Sequence, residues 1–112
     1  MAAQPDKTPV LDLLESMTAS SLEASSLDPE SLMLVRIAAL VAIDAPPASY
    51  LLNLKVAGEV GVTSDQVEGV LTGVAPIVGT ARIASAAGKL VRALGLELEL
   101  AELEAEAEAE GQ

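Results

Sequence analysis

The sequence predicts an all-α fold, a single domain built as a bundle of five or six helices. Helix-capping residues stand directly before segments in which apolar residues recur at helical spacing, as at Asp28-Pro29-Glu30. The apolar residues, 51% of the chain, are mostly Ala, Leu and Val, with no Phe and no Trp. Side chains this small let helices approach one another closely. At 112 residues the chain has the size of one domain.

The N-terminal segment, residues 1–26, is predicted to form a helical arm and a linker. Thr8 is placed as the N-cap of a short helix, and Pro9 fits its first turn, where the missing N–H costs nothing. Residues 18–27 are rich in Ser and Thr, whose hydroxyls compete for backbone hydrogen bonds and favour caps and turns. We therefore expect a linker there, with about one helical turn.

The second helix is predicted from Asp28 to about Ile43. Asp28 supplies a capping carboxylate, and Glu30 places a second acid in the first turn, where the helix dipole favours it. Apolar residues occupy all sides of this segment, so we expect a central helix that is buried nearly all round. The segment Asp44-Ala45-Pro46-Pro47 ends it, because proline cannot continue the hydrogen-bond ladder.

The next two helices are delimited by turn and capping residues. One is predicted from about Ala48 to Val60, and it ends at Gly61, which suits the left-handed conformation after a last turn. The segment Thr63-Ser64-Asp65-Gln66 reads as a capping box that starts the following helix. Pro76 is expected to interrupt that helix.

The last helix is predicted to follow a break at Gly79, with Thr80 as its cap, and to run up to Gly95. Its apolar positions recur at helical spacing: Ile83, Ala86, Ala87, Leu90, Val91 and Leu94. Residues 96–112 alternate Glu with Leu and Ala. Because these residues are strong helix formers, we expect a fraying helical tail rather than a strand.

The charge distribution argues against nucleic acid and metal partners. The net charge is −11, and seven of the 17 acidic residues follow Leu96. Nucleic-acid binding needs clustered Lys and Arg with stacking aromatics, and the sequence offers six bases and one aromatic residue. Alternating Glu residues define no fixed coordination geometry. We expect no nucleic acid partner, no metal and no cofactor, and a tail that keeps the protein soluble.

No membrane or secretory segment is predicted. The longest apolar run, residues 32–43, is interrupted by Arg36 and is too short to span a bilayer. The first residues lack a basic segment followed by an apolar run. The expected location is the cytoplasm, without membrane association.

Three segments carry a family resemblance: residues 27–32 (LDPESL), residues 57–67 (AGEVGVTSDQV) and residues 74–82 (VAPIVGTAR). Together they resemble the carboxymuconolactone decarboxylase-like domain of the alkylhydroperoxidase D superfamily. The resemblance covers residues 27–95, between the arm and the tail of residues 96–112. It implies an alkylhydroperoxidase D-like helical domain that assembles through apolar helices into a homo-oligomer, a trimer or a multiple of it.

The reactive positions of that family are replaced. Its peroxidase motif is Glu, eleven residues, Cys, two residues, Cys, three residues, His. Aligned here, the glutamate falls on Met33, the cysteines on Ala45 and Ala48, and the histidine on Leu52. The sequence has no Cys and no His at all. Because a thiolate is the nucleophile in peroxide reduction, thiol peroxidase activity is excluded. The acid and histidine of decarboxylase members would also fall on Ala48 and Leu52, so their proton transfer is expected to be lost.

Three polar residues near these positions complete the candidate pocket. Arg36 fits an anion anchor, or an ion pair with an acid of the chain: Asp44, Glu59, Asp65 or Glu68. Tyr50 and Asn53 fit a pocket phenol and amide, or an interface phenol and a capping amide. Outside the pocket, Arg82 fits an anion site or a surface salt bridge.

These residues leave three functions open. The first is a non-catalytic homo-oligomer that is structural or binds a small apolar or carboxylate ligand. The second is a cofactor-independent lyase or isomerase that uses Arg36, Tyr50 and Asn53 in a rebuilt pocket. The third is a module that binds a partner through the acidic tail.

Overall fold

The computed structural model describes residues 8–110, with side chains described for residues 8–94, 106 and 109. Five helices follow one another: α1 (Pro9–Ala24), α2 (Pro29–Ala42), α3 (Pro47–Glu59), α4 (Ser64–Val78) and α5 (Thr80–Glu110). Residues 8–110 contain no strand. The all-α class is therefore confirmed, and the number of helices lies within the predicted range.

Local sequence explains where the central helices begin. At α2 the Asp28 carboxylate accepts a hydrogen bond from the Ser31 N–H at 3.2 Å. At α4 the Thr63 hydroxyl accepts from the Gln66 N–H, and the Gln66 side chain accepts from the Thr63 N–H, which completes the predicted capping box. The Gln66 amide also donates to the Glu30 carboxylate at 2.6 Å, so the starts of α2 and α4 are tied together.

The joints between helices lie at the predicted places. Asp44, between α2 and α3, has a φ of 52°. Gly61, between α3 and α4, has a φ of 96°, and Gly79, between α4 and α5, has a φ of 88°. A positive φ is open to glycine and, near the value seen at Asp44, to Asp and Asn, whereas the ψ of 163° at Gly79 restricts that position to glycine. The chain therefore reverses direction where the sequence supplies residues that tolerate it.

One prediction about α1 is wrong, and another is confirmed in position only. Helix α1 continues to Ala24, through most of the expected linker at residues 18–27. The side chains of Thr18, Ser20 and Ser21 are exposed and leave the helical hydrogen bonds in place, whereas the Ser25 hydroxyl accepts from the Leu27 N–H just after the helix ends. Thr8 is at the predicted N-cap position, but its side chain makes no capping bond; its hydroxyl donates to the Asp12 carboxylate at 3.2 Å.

Three predictions about the C-terminal helices are also wrong. Pro76 lies inside α4, which continues to Val78. The proline is tolerated because it lies two residues before the end of the helix, where few helical hydrogen bonds follow it. Thr80 is the first residue of α5 and not its cap, since the Gly79 carbonyl accepts from the Ile83 N–H. Helix α5 does not end at Gly95 but continues to Glu110 through residues rich in Glu, Leu and Ala, which confirms that the tail over residues 96–110 is a helix and not a strand.

The core lies where α2, α3, α4 and α5 meet. Helix α3 packs mainly on α5, and α2 contacts the other three. Core side chains come from all four helices and from the α2–α3 joint: Met33, Ile37, Val41, Ala45, Tyr50, Leu54, Ala57, Val67, Ala86, Leu90 and Ala93. Helix α1 contributes none, since every one of its described residues is at least partly exposed. It stands outside the four-helix body as an arm.

Helix α2 is central, but it is not buried all round. Its neighbours leave one line of apolar residues in solvent, namely Val35, Ala39 and Ile43, which we call the α2 stripe. Val35 is 54% exposed and Ile43 is 72% exposed. The expectation failed because three neighbouring helices cover three sides of α2, and the arm does not cover the fourth. None of the described helices combines the length and the apolar character needed to cross a membrane.

Candidate functional site

The structure separates the four positions that match the family's reactive residues. Met33 and Ala45 are buried in the core, whereas Ala48 is exposed and Leu52 is 65% exposed. Two of these side chains therefore fill the interior and two face solvent at the start of α3. None of the four side chains has a proton donor or a titratable group, and the only heteroatom among them is the weakly accepting, buried thioether sulfur of Met33.

The three polar candidates are engaged with different groups. The Arg36 guanidinium donates to the Thr18 carbonyl of α1 at 3.3 Å. The Asn53 amide donates to the Ser49 carbonyl, one turn earlier in α3, at 2.8 Å. Tyr50 is fully buried, and its hydroxyl has no hydrogen-bond partner among the described residues. Burial, followed by the negative charge of Asp44, raises the pKa of Tyr50.

Arg36 was expected either to bind an anion or to form an ion pair, and its contacts bear on the second alternative. The residues the structure describes include no ion pair between Arg36 and Asp44, Glu59, Asp65 or Glu68. The half-buried guanidinium instead bonds a backbone carbonyl and holds the arm against α2. Asn53 makes the kind of local side-chain to backbone bond that is common within helices.

Sequence reasoning missed a polar cluster at the joint between α2 and α3. The Asp44 carboxylate accepts from the Ser85 hydroxyl at 2.6 Å and from the Lys89 ammonium at 2.8 Å. Lys89 also donates to the Ala45 carbonyl at 2.8 Å and to the Asp44 carbonyl at 3.3 Å. The bonds from Lys89 and Ser85 lower the pKa of Asp44. We call Asp44, Ser85 and Lys89 the joint cluster.

Arg82 extends this arrangement by one turn of α5. Its guanidinium donates to the Ala42 carbonyl, the last residue of α2. Arg82 and Lys89 thus place two positive charges at the C-terminal end of α2, where the helix dipole is negative. Arg82 was expected to bind an anion or to form a surface salt bridge, but its contact is with a backbone carbonyl.

The chemistry available to the joint cluster is limited. A serine nucleophile needs a base that accepts its proton, and a carboxylate with a lowered pKa that is already bound to an ammonium is a weak base. Among the described residues, no group of three or more acids could hold a metal ion. A signal for the cluster was present in the sequence: Ser85 and Lys89 are four residues apart on α5, hence on one face. Its partner, Asp44, could not be identified without the helix packing.

Comparison with known proteins identifies no relative of this chain. No protein-family model matches the chain, and no curated protein or solved structure matches it.

Proposed function

We propose that this protein is a catalytically silent, carboxymuconolactone decarboxylase-like subunit that acts as a structural homo-oligomer, a trimer or a multiple of it. The observation that carries this proposal is the exposed apolar face of α1. Four large apolar side chains on this face, Val10, Leu13, Leu14 and Met17, are between 51% and 69% exposed, and the neighbouring Leu11 is 53% exposed.

The stability of α1 supports a partner surface. A 16-residue helix without tertiary packing is marginal in water, because the cost of nucleation is repaid by few hydrogen bonds. Burying one side chain of the size of Leu or Met contributes about 1.5–3 kcal/mol. The arm obtains little of this within its own chain. Association with other copies of the same chain would bury these apolar side chains without requiring a second kind of protein.

The absence of catalysis is supported by the positions that would carry it. Met33, Ala45, Ala48 and Leu52 provide no reactive atom. Arg36 and Asn53 are committed to backbone carbonyls of Thr18 and Ser49. A lyase or isomerase would need these groups to converge on one substrate.

Native mass measurement and analytical ultracentrifugation of the full chain test the proposal. We expect an oligomer at micromolar concentration that dissociates only with loss of helical signal, because folding and association share the same apolar surfaces. A folded 11.4 kDa monomer at that concentration would refute it.

A small ligand in the core is the second candidate, and one observation favours it. The Tyr50 hydroxyl is buried without a partner among the described residues, and such groups are usually paired with protein, water or ligand. Substitution of Tyr50, developed in the Discussion, separates an unpaired hydroxyl from an occupied one.

A further inference from the structure

Helix α1 has the residue pattern of a docking helix. Val10, Leu13, Leu14 and Met17 occupy positions i, i+3, i+4 and i+7, which place them on one face. The acidic residues of the helix, Asp12, Glu15 and Glu23, fall on the other side of a helical wheel. An amphipathic helix of this kind binds by laying its apolar face on an apolar surface. We call these four apolar residues the arm anchors.

The α2 stripe provides a matching surface on the same protein. It lies beside Arg36, the residue that ties α1 to α2, yet the arm leaves Val35 and Ile43 largely exposed. At 1.5 Å per residue, the anchors span about 10 Å and the stripe about 12 Å. Two apolar surfaces of similar length therefore remain uncovered within one chain.

The charge of the arm argues against a membrane as its partner. Helices that bind membrane surfaces carry Lys and Arg on the polar face, which attract anionic headgroups. Residues 9–24 contain three acids and no base. Because an anionic membrane surface would repel these acids, an apolar surface on a protein is the more suitable partner for the arm.

We propose that α1 of one copy docks its anchors on the α2 stripe of a second copy, and that the second copy returns its own arm in the same way. This inference rests on the homo-oligomer proposed above and adds a two-fold contact between pairs of its subunits, which requires an even number of copies. A reciprocal pair has two-fold symmetry, which also occurs where two trimers join in a hexamer.

The area available is sufficient for a stable contact. Each anchor and each large stripe residue exposes on the order of 100 Å² of apolar surface. One docked arm then buries on the order of 600 Å², and a reciprocal pair about 1,200 Å², which reaches the lower limit of specific interfaces. A single arm without exchange would fall short of that limit.

Cysteine crosslinking tests the contact directly, because the natural chain has no cysteine. Leu14→Cys and Ala39→Cys place one thiol near the centre of the arm anchors and of the α2 stripe, so either direction of docking brings them together. The two single variants are mixed, unfolded and refolded together, and treated with a short bismaleimide. We expect a crosslinked dimer of the two variants at least fivefold more abundant than with Leu14→Cys mixed with Ile77→Cys.

The control uses Ile77 because it is 86% exposed on α4, outside both surfaces. A doubly substituted chain, Leu14→Cys with Ala39→Cys, shows whether an arm folds back on its own chain. Crosslinking of that chain only as a monomer would overturn the inference, and so would equal yields with Ala39→Cys and Ile77→Cys.

Native mass separates this inference from the proposed function. We expect Leu14→Glu to reduce the oligomer at least tenfold at equal concentration, since a charge would enter the contact. An oligomer that withstands Leu14→Glu but is lost with Ile77→Glu would overturn arm docking and leave the homo-oligomer standing. A monomeric natural chain would overturn both.

Discussion

Replacing Tyr50 by Phe should stabilise the protein. The substitution keeps the ring that fills the core and removes only the hydroxyl, which has no partner among the described residues. A buried polar group without a hydrogen bond costs about 1–3 kcal/mol relative to a paired one. We expect a gain of about 1–2 kcal/mol, equivalent to a rise in Tm of roughly 4–8 °C for each kcal/mol in a domain of this size.

The assay is urea unfolding followed by far-UV circular dichroism, with both proteins at the same concentration because association contributes to stability. The midpoint should shift upward at an unchanged m value. Tyr50→Leu is the control, since it removes the hydroxyl and the ring together, and it should destabilise the core by leaving a cavity.

A loss of 1 kcal/mol or more with Tyr50→Phe would refute the reasoning. The hydroxyl would then have a partner in solution, and the small-ligand candidate would gain support. Extraction of the folded protein with organic solvent, followed by mass spectrometry, would then distinguish a bound molecule from water.

Four further predictions concern the joints, one glycine inside α4 and the tail. Gly79→Ala should destabilise the protein by about 1–3 kcal/mol, because the φ of 88° and ψ of 163° at this residue suit only glycine. Gly73→Ala, inside α4 where an added Cβ would meet no described atom within 4 Å, should stabilise by about 0.5–1 kcal/mol; urea midpoints compare the two. The pKa of Asp44 is lowered from 3.8, so its contribution to stability is present above that pH and is lost as pH falls through the folded-state pKa. The difference in free energy of unfolding between the natural chain and Asp44→Asn should therefore be constant above about pH 5 and shrink below about pH 4. A difference that stays constant below about pH 4 would contradict the assigned ion pair. Removal of residues 97–112 should lower the helical signal only by the part that residues 97–110 contribute, leave the remaining helices folded, and lower solubility because it removes seven glutamates; a loss of oligomer would make the tail structural.

The fold could be predicted where local residues decide the outcome. Asp28, Thr63 and Gly61 act through bonds or dihedral angles within a few positions of themselves, and the structure confirms each. The predictions are wrong where a residue of low helical propensity does not end the helix. Pro76 and Gly95 have unfavourable helical propensity, but the residues around each continue the helix.

The candidate site was less predictable because it depends on contacts between distant segments. The alignment to a family motif selected Met33, Ala45, Ala48 and Leu52 by spacing, and spacing does not determine which of them face the core. The expectation for α2 failed similarly. The apolar composition of α2 predicts burial on every side, but composition does not determine whether the residues that bury it belong to the same chain.

The joint cluster also constrains the order in which the chain folds. The contacts that Arg82, Ser85 and Lys89 make with residues 42–45 join positions 40 to 45 apart in sequence. The hydrogen bonds that stabilise the turn after α2 therefore form only after the first three turns of α5 have been synthesised and have packed against it. Interactions completed that late contribute little to the folding transition state, so Asp44→Asn should accelerate unfolding while leaving the refolding rate almost unchanged.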